Sequence, residues 1–170
     1  VDKIIMVGPK NSFISWEDEF LLNFGPNGEV KKLKCLDCQK HSKRDLIEKL
    51  EYESDNYNLI LINYEKLDSI KDSLKKAIND KTLLVFDEIH RIKAINGVWS
   101  SAALEICVNA KYKVALTGTP IPNSYADLYN ILKILFYDEY DSFFKFKPKE
   151  LENADEREMV QINEQIFPFY

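Results

Sequence analysis

The pattern of hydrophobic and polar positions predicts short buried strands that alternate with amphipathic helices. Apolar runs of strand length lie at residues 3–7, 30–35, 59–62, 83–86 and 114–116. Apolar residues at helical spacing lie at 15–24, 42–52, 69–78, 98–108 and 124–135. This alternation predicts an α/β domain in which helices cover both faces of a mainly parallel sheet.

Polar residues mark where several of these elements begin and end. Ser15, Ser42 and Ser124 each precede an aspartate by three residues, which predicts a capping box at the start of three helices. The run 25–28, Gly-Pro-Asn-Gly, predicts a turn. The aromatic segment 136–146 is predicted to pack along an edge of the domain, and residues 149–166 are predicted to form an acidic helix.

The strand predicted at 83–86 ends in chemically informative residues. Asp87 and Glu88 follow it directly, and His90 lies two residues further on. In open α/β sheets, ligands bind outside the carboxyl ends of the strands. There Asp87 can hold a magnesium ion, and Glu88 can orient or deprotonate an attacking water, as phosphoryl transfer to water requires. The alternative for these residues alone is a solvated acidic turn.

A second polar segment follows the strand predicted at 114–116. It reads Thr117-Gly118-Thr119-Pro120, so two hydroxyls are expected near the same edge of the sheet. Gly118 is expected to permit a backbone turn that other residues cannot adopt. The two segments together are more specific than either alone.

Both segments resemble motifs of the Swi/Snf-type DNA translocase ATPases, a branch of the superfamily-two helicases. Residues 87–93, Asp-Glu-Ile-His-Arg-Ile-Lys, resemble motif II of that family. Residues 116–123, Leu-Thr-Gly-Thr-Pro-Ile-Pro-Asn, resemble motif III, and residues 127–132 resemble the helix that follows it.

The resemblance extends over nearly the whole chain. Residues 4–10 together with 16–20 are similar to motif Ia, and residues 59–65 are similar to a strand that ends in a Thr-Tyr-Glu-type segment, with Asn63 in place of the threonine. Residues 162–170 look like the stretch before motif IV. The resemblance therefore implies a RecA-like, three-layer lobe of the P-loop NTPase type at 1–148. It also implies an acidic helical connector toward a second lobe at 149–170.

The resemblance assigns roles to individual residues. ATP and Mg²⁺ are the implied cofactors, with Asp87 as the metal ligand and Glu88 as the residue that activates water. His90, Thr117 and Thr119 would couple hydrolysis to DNA movement. The implied partners are double-stranded DNA and a second RecA-like lobe in the same protein.

The resemblance also predicts which residues contact DNA. Pro9, Lys10 and Asn11 form the loop that the family places on a DNA phosphate backbone, and Asn63 and Tyr64 end a strand at the same sheet edge. A lysine with exposed N–H groups at a strand-to-helix turn suits a phosphate, although an ordinary loop with a solvated lysine fits equally well. Lys93 is expected to contact DNA or the second lobe, or to belong to a solvated basic turn. Trp16 is expected to pack beneath the first loop.

The sequence contains no Gly-x-x-x-x-Gly-Lys-Ser/Thr loop, which in the family precedes motif Ia. We therefore expect the chain to be a piece of a longer protein and to be inactive alone as an ATPase. Within the superfamily, a strand-separating helicase or a restriction motor remains an alternative. A different alternative is a degenerate helicase-like lobe that serves as a protein-interaction module.

Composition narrows these possibilities only slightly. The 170 residues carry a net charge of −5, which predicts weak DNA binding by this lobe alone. No apolar run has the length of a membrane span, and the cysteine usage is typical of a reducing cytosol, so a cytoplasmic location is expected. The abundance of Lys, Asn, Ile and Asp is typical of an AT-rich bacterial, phage or parasite genome. The spacing of Cys35, Cys38 and His41 offers three candidate ligands where a zinc site needs four, and Cys107 is expected in the core.

Overall fold

The computed structural model describes residues 1–24, 32–119 and 125–167. Five parallel strands form one sheet in the order β2-β3-β1-β4-β5, which confirms the predicted α/β fold with a parallel sheet. The strands are β1 Lys3–Gly8, β2 Cys35–Asp37, β3 Leu59–Asn63, β4 Thr82–Asp87 and β5 Tyr112–Leu116. The continuous apolar runs of β1 and β3 are those of strands covered on both faces.

Seven α-helices surround this sheet in the described residues. They are α1 Phe13–Phe24, α2 Lys43–Tyr52, α3 Tyr64–Ala77, α4 Val98–Cys107, α5 Leu128–Leu135, α6 Pro148–Glu152 and α7 Glu156–Ile166. Short 3-10 helices lie at Lys10–Ser12, Cys38–Lys40, Ser54–Asn56, Ile89–Ile92 and Tyr125–Asp127. Within the part of the chain that the structure describes, no helix is both long and apolar enough to cross a bilayer.

Strand register brings the polar strand ends to one edge of the sheet. Gly8 at the end of β1 pairs with Asn63 at the end of β3. Asp87 at the end of β4 pairs with Leu116 at the end of β5. The segments that follow these four strands therefore emerge side by side, as expected for the carboxyl ends of parallel strands.

The predicted helix starts were right in one case and wrong in another. Ser42 caps α2, and its hydroxyl accepts a hydrogen bond from the Asp45 N–H at 3.2 Å. Ser15 is not a cap, because the 3-10 helix at Lys10–Ser12 runs directly into α1, which begins at Phe13. Ser124 and the turn predicted at 25–28 lie outside the described residues.

Three other boundaries differ from the prediction. Helix α3 begins at Tyr64, five residues earlier than the apolar spacing indicates, because it starts immediately after β3. Strand β2 covers 35–37 and not 30–35; residues 32–34 are irregular, and 30–31 lie outside the described residues. The segment 149–166 forms two helices, since α6 ends at Glu152 and Asp155 starts α7 with a capping box to Glu158.

The C-terminal segment belongs to the same hydrophobic core as the rest of the lobe. Leu151, Ile162 and Ile166 are buried within that core. Tyr125 donates a hydrogen bond from its hydroxyl to Asn163 Oδ1 at 3.0 Å. The core therefore continues past the predicted boundary at 148, and the connector role of this segment remains a prediction.

The aromatic segment packs as the sequence predicts. Tyr140 and Phe144 are buried, and their ring centroids lie 5.8 Å apart. The Tyr140 hydroxyl donates to the Phe146 carbonyl at 3.0 Å, which satisfies this buried polar group. These rings stabilise the edge of the domain and do not form an exposed platform for stacking bases.

Candidate active site

Asp87 is held from three sides at the carboxyl end of β4. The indole Nε1 of Trp16 donates a hydrogen bond to Asp87 Oδ2 at 3.1 Å. The Tyr64 hydroxyl donates to the Asp87 main-chain carbonyl at 2.8 Å. On the third side lies Gly8, where an added Cβ would come within 3.0 Å of Asp87 Cβ. A side chain at residue 8 would therefore crowd Asp87 and displace its carboxylate by a few tenths of an ångström.

Tyr64 is a buried structural support for this carboxylate. Its side chain is fully buried, and its ring stacks on Trp99 with centroids 6.1 Å apart. Burial, with the nearby Asp87 charge as a second cause, raises the Tyr64 pKa far above the ordinary value. The phenol therefore stays protonated and remains a hydrogen-bond donor to the main chain of Asp87.

Glu88 has an unusual backbone conformation for its residue type. Its φ of 52° and ψ of 50° lie in the left-handed region, which costs a non-glycine residue free energy. This conformation turns the chain sharply from β4 into the 3-10 helix Ile89–Ile92. The Glu88 side chain remains 44% exposed at the mouth of the sheet, so it is accessible to water and ligands.

A network of close polar contacts links Glu88 to the segment after β5: an ion-pair contact between Glu88 and His90, and a hydrogen bond between His90 and Thr117. His90 Nδ1 lies 3.2 Å from Glu88 Oε2 and 2.9 Å from Thr117 Oγ1. Because a carboxylate only accepts hydrogen bonds, both contacts are attractive when Nδ1 carries the proton. Thr117 Oγ1 also accepts from the Thr119 N–H at 3.1 Å. The network joins four of the five predicted catalytic residues and places His90 between the two motifs, whereas its role in coupling hydrolysis to DNA movement remains a prediction.

Thr119 and Gly118 are both exposed. Thr119 enters the network through its main chain. No described glycine has a positive φ, and an added Cβ at Gly118 would meet no atom within 4 Å. The expectation that Gly118 permits a turn closed to other residues is therefore wrong for this structure, and the left-handed conformation is found at Glu88 instead. Residues 120–123 of the predicted second motif lie outside the described residues.

Asn130 on α5 fixes the segment that follows the carboxylates. Its buried Nδ2 donates to the carbonyls of Ile92, Lys93 and Ala94 at 2.7, 3.1 and 3.1 Å. The amide has two hydrogens, and the Ala94 carbonyl also accepts from the Ser100 hydroxyl and the Gly97 N–H, so Asn130 is chiefly the donor to the carbonyls of Ile92 and Lys93. The sequence analysis placed Asn130 within a family-like helix but assigned it no contact.

We expect Asn130→Ala to destabilise the chain by about 1–3 kcal/mol, because buried carbonyls would lose their donor. Asn130→Asp should cost more, since a carboxylate would then face three carbonyl oxygens. Urea unfolding followed by circular dichroism measures both changes. Asn109→Ala is the matched control, because Asn109 Nδ2 donates to the Lys75 carbonyl at the surface. Equal losses at the two positions would contradict the assigned role.

The predicted DNA-contacting residues divide into accessible and buried groups. Lys10 and Asn11 are exposed at the end of β1, whereas Pro9 is buried at the start of that loop. Asn63 and Tyr64 have no exposed surface, so the prediction that they contact DNA is wrong in this structure. The physical reason is that α3 begins directly at Tyr64 and turns both side chains inward.

The buried Asn63 side chain instead joins the buried Cys38 to Glu65, which is exposed. Asn63 Oδ1 accepts from Cys38 Sγ at 3.0 Å, and its amide donates to Glu65. This hydrogen bond is the main reason that the Glu65 pKa lies below its usual value, and the positive charges of Lys10 and Arg91 contribute. Lys10 and Arg91 therefore both lie close enough to Glu65 to act on its charge. Lys93 is half-buried at the end of the 3-10 helix.

The cysteines are structural. Cys35 Sγ donates to Glu17 Oε1 at 3.4 Å, Cys38 is buried against Asn63, and His41 Nδ1 contacts Asp45. In the ranges that the structure describes, no group of three or more His, Cys, Asp or Glu residues is arranged to hold a metal. A zinc site at 35–41 is thus absent from the described residues.

We expect the thiols of the folded chain to react slowly with thiol reagents at pH 8. Burial, assisted by Glu17, raises the Cys35 pKa to about 12, and burial raises that of Cys107 to about 11. Relative to an ordinary thiol, the thiolate fraction of Cys35 falls about a thousand-fold. The rate should rise with pH and reach the free-thiol value in denaturant, as measured with Ellman's reagent. Rapid labelling of native Cys35 at pH 8 would contradict this.

The residues present suit magnesium only in combination with a phosphate ligand. Mg²⁺ is commonly bound by one or two carboxylates together with waters and substrate phosphates. The indole engages Oδ2 of Asp87, and among the described residues no hydrogen bond is made to Oδ1. The Asp87 carboxylate therefore has one oxygen directed by protein and one open for a cation or its bound water.

The parallel sheet, with Asp87 and Glu88 at the end of β4 and two linked threonines after β5, has the RecA-like fold of the SWI2/SNF2 ATPase core. A sequence profile described as "SNF2-related domain" matches residues 1–166. A solved structure of the Sulfolobus solfataricus SWI2/SNF2 ATPase core in complex with dsDNA superimposes with a TM-score of 0.70 at 26% identity, covering 99% of this chain and 33% of that one. The chain therefore belongs to the SNF2-related domain family.

Two curated relatives from Saccharomyces cerevisiae illustrate the family's range. The DNA repair and recombination protein RDH54 is 30% identical over 149 residues, which are 85% of this chain and 16% of that protein. The ISWI chromatin-remodeling complex ATPase ISW2 is 25% identical over 162 residues, which are 95% of this chain and 14% of that protein. The chain thus spans about a sixth of the length of these relatives.

Proposed function

We propose that this lobe hydrolyses ATP with Mg²⁺ and drives translocation along double-stranded DNA, as part of a longer protein with a second RecA-like lobe. The observation that carries the proposal is the network from Glu88 through His90 to Thr117. It places an accessible carboxylate suited to water activation in contact with the segment that follows the next strand.

The proposed chemistry assigns one task to each carboxylate. Asp87 holds the cation, which when bound neutralises charge on the phosphate oxygens. Glu88 orients the attacking water and accepts its proton. A protonated Glu88 attracts the His90 Nδ1–H less strongly, so His90 would bind Thr117 more tightly at that stage. This shift gives a physical route from hydrolysis to movement of the segment after β5.

The proposed DNA contacts are made by two exposed groups and one half-buried lysine at the same edge. Lys10 and Asn11 present a cation and an amide after β1, and Lys93 lies after β4. The related Sulfolobus core was solved in complex with dsDNA. The net charge of −5 is the reason to propose that this lobe contributes only part of the DNA affinity and that the second lobe supplies the rest.

The test uses the full-length protein that contains this domain. ATP turnover is measured with and without duplex DNA, and displacement of a third strand from a triplex reports translocation. DNA-stimulated turnover with triplex displacement and without separation of duplex strands supports the proposal. Strand separation would identify a helicase, and the absence of turnover under both conditions would favour a protein-interaction module. The 170-residue chain alone is proposed to be inactive, and turnover by it would refute that part.

A further inference from the structure

We propose that Trp16 is a positioning residue for Asp87: its indole N–H fixes the carboxylate in the orientation that receives the cation. The inference rests on the proposed function and extends it to a residue for which the sequence analysis expected only packing beneath a loop. The hydrogen bond from Nε1 to Oδ2 measures 3.1 Å and joins residues 71 positions apart.

The hydrogen bond between Trp16 and Asp87 differs from an ordinary packing contact in its position and its direction. Trp16 is only partly buried, so the hydrogen bond is made at the mouth of the sheet and not within the core. An indole has a single donor and no acceptor, so it can stabilise one oxygen of the ionised carboxylate. Tyr64 already holds the main chain of Asp87 through its hydrogen bond to the carbonyl. Trp16 therefore restricts the rotation of the Asp87 side chain.

Helix α1 gives the indole a rigid base. It begins at Phe13, which is buried, directly after the 3-10 helix Lys10–Ser12. Ser12 closes that turn, because both its N–H and its hydroxyl donate to the Pro9 carbonyl at 3.1 and 2.9 Å. Groups that orient a metal ligand commonly change metal affinity or activity by about ten- to a hundred-fold when removed.

The first experiment detects the hydrogen bond without any turnover. The chain has two tryptophans, so its ¹H–¹⁵N spectrum contains two indole signals, and Trp99→Phe assigns them. We expect the Trp16 indole proton to lie downfield and to exchange slowly with solvent. In Asp87→Ala it should move upfield and exchange faster, while the Trp99 signal changes less. A Trp16 indole signal that does not respond to Asp87→Ala would overturn the proposal.

The second experiment, on the full-length protein, distinguishes the effect of the Trp16 N–H donor from the effect of the shape of its ring. Replacing Trp16 by 3-benzothienylalanine keeps the bicyclic ring but substitutes sulfur for the N–H. We expect the Mg²⁺ concentration for half-maximal ATP turnover to rise about ten-fold or more, with the thermal midpoint of unfolding close to wild type. Trp16→Phe should show at least the same increase.

The outcomes distinguish this proposal from the proposed function. If the benzothienylalanine variant has the wild-type magnesium requirement while Trp16→Phe is impaired, the ring only packs and the proposal is wrong. If wild-type protein hydrolyses no ATP, the proposed function fails. The indole spectrum then still decides whether Trp16 is bonded to Asp87.

Discussion

Glu88→Gln is expected to reduce the ATP turnover of the full-length protein by about a hundred- to ten-thousand-fold, the range that a general base contributes. The amide keeps the size of the side chain and can still accept from His90 Nδ1 through its oxygen, but it cannot take a proton from water. The backbone at 88 should keep its left-handed conformation. ATP binding and the unfolding midpoint are therefore expected to remain close to wild type.

Glu48→Gln provides the matched control, since it makes the same change on the exposed face of α2. A coupled phosphate-release assay measures the rate of ATP turnover, and equilibrium dialysis measures the affinity for ATP. A Glu88→Gln protein that binds ATP and hydrolyses it at the wild-type rate would remove Glu88 from the mechanism. Loss of both binding and folding would show that the side chain is structural.

Gly8→Ala is expected to lower turnover and to raise the magnesium requirement of turnover by about ten-fold each, because the carboxylate must shift by a few tenths of an ångström, and a shift of about 1 Å costs about a hundred-fold. The added Cβ would lie 3.0 Å from Asp87 Cβ and 2.7 Å from Met6 Sδ. The Met6 thioether can move, but the Asp87 Cβ is attached to the strand, so the carboxylate must shift. Overpacking should also cost about 1–3 kcal/mol of stability.

Gly97→Ala separates the two effects of Gly8→Ala. Its added Cβ would lie 3.1 Å from the Ala94 carbonyl oxygen and 3.2 Å from Ala94 Cβ, which is comparable crowding without contact with Asp87. We expect it to lower the urea midpoint while leaving the magnesium requirement of ATP turnover at its wild-type value. Equal changes in magnesium requirement for both variants would show that Gly8 has no special relation to the carboxylate.

The sequence was sufficient for features that local pattern controls. Strands β3 and β4 were predicted because each is a continuous apolar run, and Asp87, Glu88 and His90 because they follow such a run directly. The resemblance to a known family grouped His90 with Thr117 in one role but did not specify that they touch. Their 2.9 Å distance follows from the parallel pairing of β4 with β5.

The features that the sequence analysis missed depend on tertiary contacts. Trp16 and Asp87 are 71 residues apart, and Asn130 lies 36 to 38 residues from the carbonyls that it binds. No local pattern specifies such pairs. Asn63 and Tyr64 were misassigned because polar residues at a strand end are usually exposed, whereas here a helix starts at once and buries them.

The position of β4 within the sheet determines how far any signal has to travel. It lies between β1, which leads into the Lys10 loop, and β5, which leads into Thr117. Adjacent strands are about 4.8 Å apart, so these two segments are separated by about 10 Å with the carboxylate strand between them. A displacement of one segment can therefore reach the other through a single intervening strand, β4, which is hydrogen-bonded to both β1 and β5. A probe of their relative motion must therefore report on a separation of about 10 Å, which lies below the working range of energy transfer between dyes and favours paramagnetic or crosslinking measurements.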